Sequence, residues 1–257
     1  LVIGHRNPDT DSICSAICYA NLKQAATGGV YEPGRAGNVN SETRFVLDYF
    51  GVQEPELVKT VRTQVKDIEI RETPGVRRDI SLKKAWNLMQ EANVVTLAAV
   101  TDGGVLEGLI TVGDITKSYM NVYDSSILSK AVTQYSNIVE TLEADMVIGD
   151  EKEYFKNGKV LIAAANPDMM EFYIEKGDLV ILGNRYESQL CAIEMEASCI
   201  IVCEGAGVSM TIKKLAQERG CTIIATPYDT YTAARLINQS MPISYFMKTE
   251  HLITFDE

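Results

Sequence analysis

The sequence predicts an α/β protein with more than one domain, and three observations in its 257 residues support this. An apolar strand, a polar loop and a helical pattern follow one another at the start of the chain. Two apolar runs on either side of an Asp-Gly-Gly turn near residue 103 predict a β-hairpin. Strand and helix patterns then alternate between residues 159 and 239. Because domains commonly contain about 100 to 200 residues, the chain has room for more than one hydrophobic core.

The first pattern begins with an apolar strand, Leu1 to Gly4, and continues into a polar turn. Apolar residues at helical spacing predict a helix from Ser12, with Ser12 or Asp11 as its N-cap. A second helix is predicted from Ser41 to Phe50. The polar turn lies at the carboxyl end of the strand, where open parallel sheets bind ligands. The first sixty residues thus hold about two βα units, which is an incomplete parallel-sheet domain.

The middle of the chain predicts a βαββα unit. After an apolar segment at Val65 to Ile68, a helix is expected from Ser81 to Ala92. The hairpin strands run from Thr96 to Val100 and from Val105 to Thr111, and a further helix begins near Val112.

The remaining part of the chain predicts a second α/β domain. A long helix is expected from about Asp124. Four strands then alternate with four helices, which is typical of a mainly parallel sheet. The strands are predicted at residues 159–165, 178–183, 199–204 and 221–226, and the helices at 167–175, 188–195, 209–219 and 230–239.

Composition excludes several classes of partner. A formal net charge of −11 repels nucleic acid phosphates, so we expect no nucleic acid partner. No apolar run reaches the roughly 18 to 20 residues that span a bilayer, so we expect no membrane partner and a cytoplasmic location. The six cysteines contain no Cys-x-x-Cys pair, which favours free thiols in a reducing compartment.

A candidate metal site lies in the first polar turn. His5, Asp9 and Asp11 form a His-x-x-x-Asp-x-Asp cluster at the end of a strand. One imidazole and two carboxylates can hold a divalent cation, and the nitrogen favours manganese or cobalt over magnesium. The alternative is that Asp9 and Asp11 only cap the helix and that His5 lies on a loop without a ligand role.

The stretch Gly4-His5-Arg6-Asn7-Pro8-Asp9-Thr10-Asp11-Ser12 resembles the opening motif of the DHH phosphoesterase superfamily, specifically of family II inorganic pyrophosphatases. This resemblance implies that His5, Asp9 and Asp11 are ligands of a dinuclear manganese or cobalt site, and that magnesium arrives with the pyrophosphate substrate. The Asp-His-His motif and the substrate-binding domain of that family have no counterpart in these residues. The chain therefore holds about half of a metal site, and no side chain is assigned as catalytic.

The stretch Gly108-Leu109-Ile110-Thr111-Val112-Gly113-Asp114 resembles the end of a CBS motif. The resemblance implies that Thr111 and Asp114 bind the ribose and phosphate of an adenine nucleotide, with Thr96 to Ala98 as partners of the base. The helix N-terminus would add amide donors for the anion. The alternative is that Thr111 and Asp114 only cap the helix.

Residues 122–240 resemble a DRTGG domain, although its naming motif is replaced by residues 183–188 and gives Arg185 little support as a ligand. Taken together, we expect an incomplete DHH-type parallel-sheet unit at 1–60, a CBS module at 61–121, a DRTGG-like α/β domain at 122–240 and the start of a second CBS module at 241–257. Two weaker patterns are expected to serve packing: the glycine loop Glu204 to Ser209, and a helical stripe of Leu82, Trp86 and Met89.

These resemblances imply nucleotide-regulated hydrolysis of pyrophosphate by a homodimer. AMP or ADP would inhibit the enzyme, and ATP or a diadenosine polyphosphate would relieve that inhibition. Two alternatives stay open: an adenine-nucleotide-binding regulatory protein without enzymatic activity, and another DHH phosphoesterase.

Overall fold

The structure is a computed structural model that describes residues 1–63, 73–120 and 124–254. The chain divides into two compact units, Leu1–Arg71 and Glu72–Glu257. The apolar segment predicted at Val65 to Ile68 and the last three residues of the expected second CBS module lie outside the described residues. None of the described helices has the length and apolar character needed to cross a membrane.

The first unit is a small parallel sheet with two helices. Its elements are β1 (Val2–Ile3), α1 (Thr10–Thr27), β2 (Pro33–Arg35), α2 (Ser41–Phe50) and β3 (Glu56–Leu57), and its strand order is β1-β2-β3.

The prediction for the start of α1 was wrong. The helix begins two residues before Ser12, and its N-cap is Asp9 rather than Ser12 or Asp11. Asp9 has an extended backbone, and its carboxylate accepts a hydrogen bond from the Ser12 amide at 2.9 Å. That bond satisfies one of the free amides of the first helical turn, and Asp11 lies inside the helix.

The second unit begins with a helix, a hairpin and a helix. These are α3 (Leu82–Glu91), β4 (Thr96–Val100), β5 (Leu106–Thr111) and α4 (Val112–Met120). Strands β4 and β5 pair in antiparallel fashion, and the turn is closed by a bond from the Gly104 amide to the Thr101 carbonyl. Val76 adds a short parallel bridge to Ala99.

The long helix predicted from Asp124 is wrong. Val132 and Glu143 adopt φ of 52° and 48°, and a backbone in this left-handed region cannot continue an α-helix. The chain instead forms short elements, followed by the alternating strands and helices. They are α5 (Ile127–Lys130), β6 (Thr133–Gln134), α6 (Tyr135–Thr141), β7 (Asp145–Ile148), β8 (Tyr154–Phe155), β9 (Val160–Ile162), α7 (Pro167–Met170), β10 (Leu179–Leu182), α8 (Tyr186–Glu194), β11 (Cys199–Val202), α9 (Met210–Arg219), β12 (Thr222–Ala225) and α10 (Thr230–Leu236).

A five-stranded sheet of order β7-β12-β11-β10-β9 organises this region, and all neighbours except β7 and β12 are parallel. Leu179 and Ile181 of β10 contribute to one buried core, and Val180 and Leu182 contribute to another. The sheet is therefore buried on both faces, which explains why its strands read as continuous apolar runs. The first core also contains Leu82, Leu97 and Ile110 of the preceding module, so the two parts of this unit share a core.

Two predicted helices are shorter in the structure. The helix expected at residues 167–175 ends at Met170, because the chain then turns so that the buried carboxylate of Asp178 can accept bonds from the amides of Glu175 (2.8 Å) and Lys159 (2.9 Å). The helix expected at 230–239 ends at Leu236 and continues as a 3₁₀ turn, Ile237–Ser240.

After this turn the chain returns to the hairpin module. The Met241 carbonyl accepts a bond from the Leu82 amide, and Pro242 forms a bridge with Ser81. Further on, Lys248 exchanges two backbone bonds of 2.9 Å with Leu109. Residues that precede the five-stranded sheet in the sequence and residues that follow it thus build one module.

Candidate metal and nucleotide sites

The first polar turn brings His5 and Asp9 together. Nε2 of His5 lies 3.4 Å from Oδ1 of Asp9, and both side chains are more than half exposed. The hydrogen bond from the Ser12 amide, with a further contribution from His5, lowers the pKa of Asp9 below its usual value. An ionised carboxylate beside an imidazole suits a divalent transition metal, so these two residues fit part of a metal site.

Asp11 does not join this pair. Asp11 is the third residue of the predicted cluster. It lies in the first turn of α1, and its Oδ1 accepts a hydrogen bond from the Ser15 hydroxyl at 3.3 Å. Within residues 1–63, 73–120 and 124–254, no three His, Cys, Asp or Glu side chains are grouped so that they could hold a metal ion. The ligand role of His5, Asp9 and Asp11 therefore stays a prediction.

The predicted nucleotide contacts lie on the hairpin and at the start of α4. Oδ2 of Asp114 accepts bonds from the Thr111 amide (3.0 Å) and the Thr111 hydroxyl (2.6 Å), and the Asp114 amide donates to the Thr111 hydroxyl (3.2 Å). This reciprocal arrangement caps the helix, as the structural alternative expected. A nucleotide bound by the same two side chains would replace some of these internal bonds.

The two strand residues expected near the base lie in register with this turn. Thr96 pairs with Thr111, and Ala98 pairs with Leu109. The Ala98 carbonyl accepts a bond from the Val76 amide at 2.9 Å. A role for Thr96 or Ala98 in binding the base stays a prediction.

An apolar cavity of about 270 Å³ opens between α3, α4 and the 3₁₀ turn after α10. Trp86 lines it and is 40% exposed, so the expectation that Trp86 belongs to the core was wrong, whereas Leu82 and Met89 are buried. The exposure of Trp86 could not be predicted from the sequence, because Trp86 lies at helical spacing from the buried Leu82. Residues distant in sequence complete the cavity, among them Tyr119, Met120, Asn238 and Met241.

The glycine loop after β11 serves packing. The amides of Glu204 and Gly205 donate to the carbonyls of Tyr228 and Thr226 in the loop after β12. Ser209 ends the loop by capping α9 through the Ile212 amide.

Arg185 lies in the loop that carries the degenerate motif, between β10 and α8. Its Nη2 donates to the Ala165 carbonyl at 3.3 Å and approaches the Ala163 carbonyl at 3.5 Å. The guanidinium thus bridges two loops at the carboxyl end of the sheet.

Two family models match the chain: the CBS domain over residues 65–121 and the DRTGG domain over residues 137–240. Among curated proteins, the chain is 39% identical over 253 residues to the cobalt-dependent inorganic pyrophosphatase of Clostridium perfringens, covering 98% of this chain and 46% of that protein. It is 33% identical over 247 residues to a probable manganese-dependent inorganic pyrophosphatase of Thermotoga maritima, covering 96% of this chain and 45% of that protein. The chain thus spans about half the length of these relatives.

A solved structure is similar over three quarters of this chain. It is the crystal structure of the CBS and DRTGG domains of the regulatory region of Clostridium perfringens pyrophosphatase, complexed with the activator diadenosine tetraphosphate. The match has a TM-score of 0.70 and 36% identity, and it covers 75% of this chain and 84% of that chain. Together with the two domain matches, this similarity shows that the chain belongs to the family of manganese- or cobalt-dependent inorganic pyrophosphatases that carry a CBS and DRTGG regulatory region.

Proposed function

We propose that this chain forms part of an inorganic pyrophosphatase, to which it contributes half of a dinuclear metal site and most of a nucleotide-sensing region. The observation that carries the proposal is the occurrence, in one chain, of the His5 and Asp9 pair at a strand end and of a region similar to the diadenosine-tetraphosphate-bound regulatory structure. The substrate is pyrophosphate, and the remaining metal ligands and the substrate-binding groups come from the residues that the curated relatives have beyond this half.

His5, Asp9 and Asp11 would hold manganese or cobalt, while magnesium would accompany the substrate. The metal ions supply a water of lowered pKa and stabilise the charge of the transferred phosphoryl group. The contribution of this chain is to hold the ligand side chains in the ionisation state that binds a metal. Asp9 stays ionised because the Ser12 amide and His5 lower its pKa. Asp11 lies two residues after Asp9, in the first turn of α1, and a change of its side-chain rotamer away from Ser15 would bring its carboxylate toward the pair.

The regulatory ligand is an adenine nucleotide: AMP, ADP, ATP or a diadenosine polyphosphate. We assign Thr111 and Asp114 to the ribose and phosphate, and Thr96 and Ala98 to the base. Thr111 and Asp114 already form hydrogen bonds with one another. The net binding free energy is therefore only the difference between their bonds to the ligand and the internal bonds that the ligand replaces. Regulation then follows from a difference in nucleotide affinity between two conformations of the enzyme.

The assembly we propose is a cytoplasmic homodimer in which CBS modules of two chains complete the nucleotide clefts. Sedimentation of the complete protein at several concentrations tests this. A monomer that binds nucleotide with full affinity would contradict it.

A second candidate is a nucleotide-binding regulatory protein without enzymatic activity. One observation favours it: the part of the chain that the structure describes holds no group of three potential metal ligands. Phosphate release from pyrophosphate separates the two candidates.

The deciding experiment compares the complete polypeptide with this chain alone, each with manganese or cobalt. We expect turnover of about 1 to 1,000 per second for the complete protein and none for the 257-residue chain. Asp9→Asn and Asp11→Asn should each abolish turnover, whereas Asp48→Asn, at an exposed position on α2, should not. Near-normal turnover in either ligand variant removes that residue from the metal site, and no turnover in the complete protein refutes the proposed activity.

A further inference from the structure

The second βα turn of the first unit lies directly against the first. Strands β1 and β2 are parallel neighbours, with Ile3 opposite Gly34, so the loops that follow them meet at the same edge of the sheet. The loop after β1 contains His5 and Asp9. The loop after β2, residues 36–40, contains no His, Cys, Asp or Glu, and nothing in the sequence suggested a role for it beyond structure.

Gly37 marks the contact between the two loops. A Cβ atom at this position would lie 2.6 Å from the Arg6 carbonyl oxygen and 2.7 Å from Cδ of the buried Pro8. Both distances are below those that real Cβ atoms show, and the nearest atom belongs to the backbone. The backbone between His5 and Asp9 therefore packs against a glycine, and any side chain at position 37 must displace it.

Gly37 is itself held in place. Nη1 of Arg35 donates to the Gly37 carbonyl at 2.7 Å, and Nε donates to the Pro55 carbonyl at 2.9 Å. The same guanidinium forms an ion pair with Glu54 at 2.7 Å, and the Arg35 side chain is only 16% exposed. The Arg35 guanidinium thus ties the Gly37 carbonyl to Glu54 and Pro55, which precede β3, through three interactions that suit its forked geometry.

A second contact lies at the start of the two helices. Thr43, in the first turn of α2, is fully buried, and its hydroxyl lies 3.0 Å from the hydroxyl of Thr10. Thr10 is the first residue of α1 and stands between Asp9 and Asp11. The Thr43 amide is bonded to the Asn40 side chain at 2.7 Å, so α2 begins at a fixed point. One hydroxyl pair therefore ties the start of the carboxylate-bearing helix to the second βα unit.

We propose that Gly37 and Thr43 are positioning residues of the metal site: Gly37 sets the backbone between His5 and Asp9, and Thr43 fixes Thr10 between the two carboxylates. This inference rests on the metal site proposed above. Groups that orient metal ligands without touching the metal typically change metal affinity by about 10- to 100-fold when they are removed.

The test measures the affinity and the visible absorption spectrum of Co²⁺ bound to the complete protein. In Gly37→Ala the affinity should fall about 10- to 100-fold, and the absorption band should shift because the ligands are displaced. Gly207→Ala is the matched control: like Gly37 it has no positive φ, and no atom lies within 4 Å of its added Cβ. Thr43→Val, which keeps the shape and removes the hydroxyl, should weaken Co²⁺ binding by a similar factor, and Thr43→Ser should restore it.

The outcomes separate the two proposals. If the wild-type protein binds Co²⁺ no better than His5→Ala, the metal site itself is wrong. If His5→Ala loses binding but Gly37→Ala and Thr43→Val keep the wild-type affinity and spectrum, the positioning role is wrong. Should Gly37→Ala fail to fold by circular dichroism, the Thr43→Val and Thr43→Ser pair decides, because a role in stability alone would change melting temperature without changing the Co²⁺ spectrum.

Discussion

Replacing Asp114 with alanine removes the carboxylate that accepts two hydrogen bonds from Thr111, one from its amide and one from its hydroxyl. The substitution leaves the amide of residue 114 bonded to the Thr111 hydroxyl, so the helix keeps half of its reciprocal cap. Loss of a helix cap costs about 0.5 to 2 kcal/mol. Because the turn is only partly buried, water can replace part of what is lost, and we expect a decrease of about 1 kcal/mol in the free energy of unfolding.

The effect on nucleotide binding depends on what Asp114 does in the complex. If it bonds the ribose or phosphate, its removal strands a polar partner, which costs a further 1 to 3 kcal/mol, or about 5- to 150-fold in Kd. If it serves only as a cap, the affinity should change little. Stability and affinity together therefore distinguish the two roles, and neither measurement does so alone.

A matched control exists in the same unit. Asp229 caps α10 and accepts bonds from the Thr232 amide (2.9 Å) and hydroxyl (2.7 Å), which is the same pair of donors that Asp114 accepts from Thr111. Asp229→Ala should lose a similar amount of stability and bind AMP normally.

The assay combines urea unfolding without nucleotide and calorimetric titration of the complete protein with AMP and with diadenosine tetraphosphate. We expect Asp114→Ala to bind both nucleotides at least fivefold more weakly than Asp229→Ala. Equal affinities in the two variants, at equal losses of stability, would show that the nucleotide binds elsewhere and that Thr111 and Asp114 form only a cap.

Two further predictions concern titration and thiol reactivity. The neighbouring Tyr228 hydroxyl, together with Lys83, lowers the pKa of the Glu143 carboxylate, so the contribution of this carboxylate to stability is complete above pH 4.5 and disappears as the pH falls through the lowered value. Tyr228→Phe should therefore bring the Glu143 pKa, measured by carbon NMR, back toward 4.5, and the stability difference between the two proteins should vanish at lower pH; an unchanged pKa would contradict this interaction. Among the cysteines, the exposed Cys18 should react first with a thiol reagent, while burial, which raises the pKa of Cys221 to about 12, should protect the thiols of the sheet region until the protein unfolds. Fast reaction of a buried thiol under native conditions would mean that the sheet opens readily.

The sequence predicted those parts of the fold whose signals are local. Strands β10, β11 and β12 are continuous apolar runs between turn residues, and the Asp-Gly-Gly turn marked the hairpin. The region after Asp124 was mispredicted because Val132 and Glu143 reverse the chain without a glycine, and the left-handed backbone of such residues has no signature in composition.

In the candidate sites, too, the features with local sequence signals were predicted and those built from distant residues were not. The spacing of His5 and Asp9 was enough to place them side by side, because a tight turn of only three intervening residues leaves few alternatives. The cavity beside Trp86 could not be predicted, since its walls come from α3, α4 and a turn more than a hundred residues later. The contact of Gly37 with Arg6 and Pro8 also depends on two loops from separate βα units, and only the register of β1 and β2 reveals it.

The return of the chain to the hairpin module after Ser240 means that the five-stranded domain is an insertion whose two ends meet. Met120 and Met241 line one cavity, so the whole insertion leaves and re-enters within a short distance. Were the insertion to unfold, it would become a loop of about 120 residues, whose closure costs on the order of 4 kcal/mol in chain entropy. The folded domain holds its two ends together, so the surrounding module folds without this loss of chain entropy. A destabilising substitution deep in the sheet should therefore also weaken the pairing of Leu109 with Lys248, and hydrogen exchange at those two amides would report it.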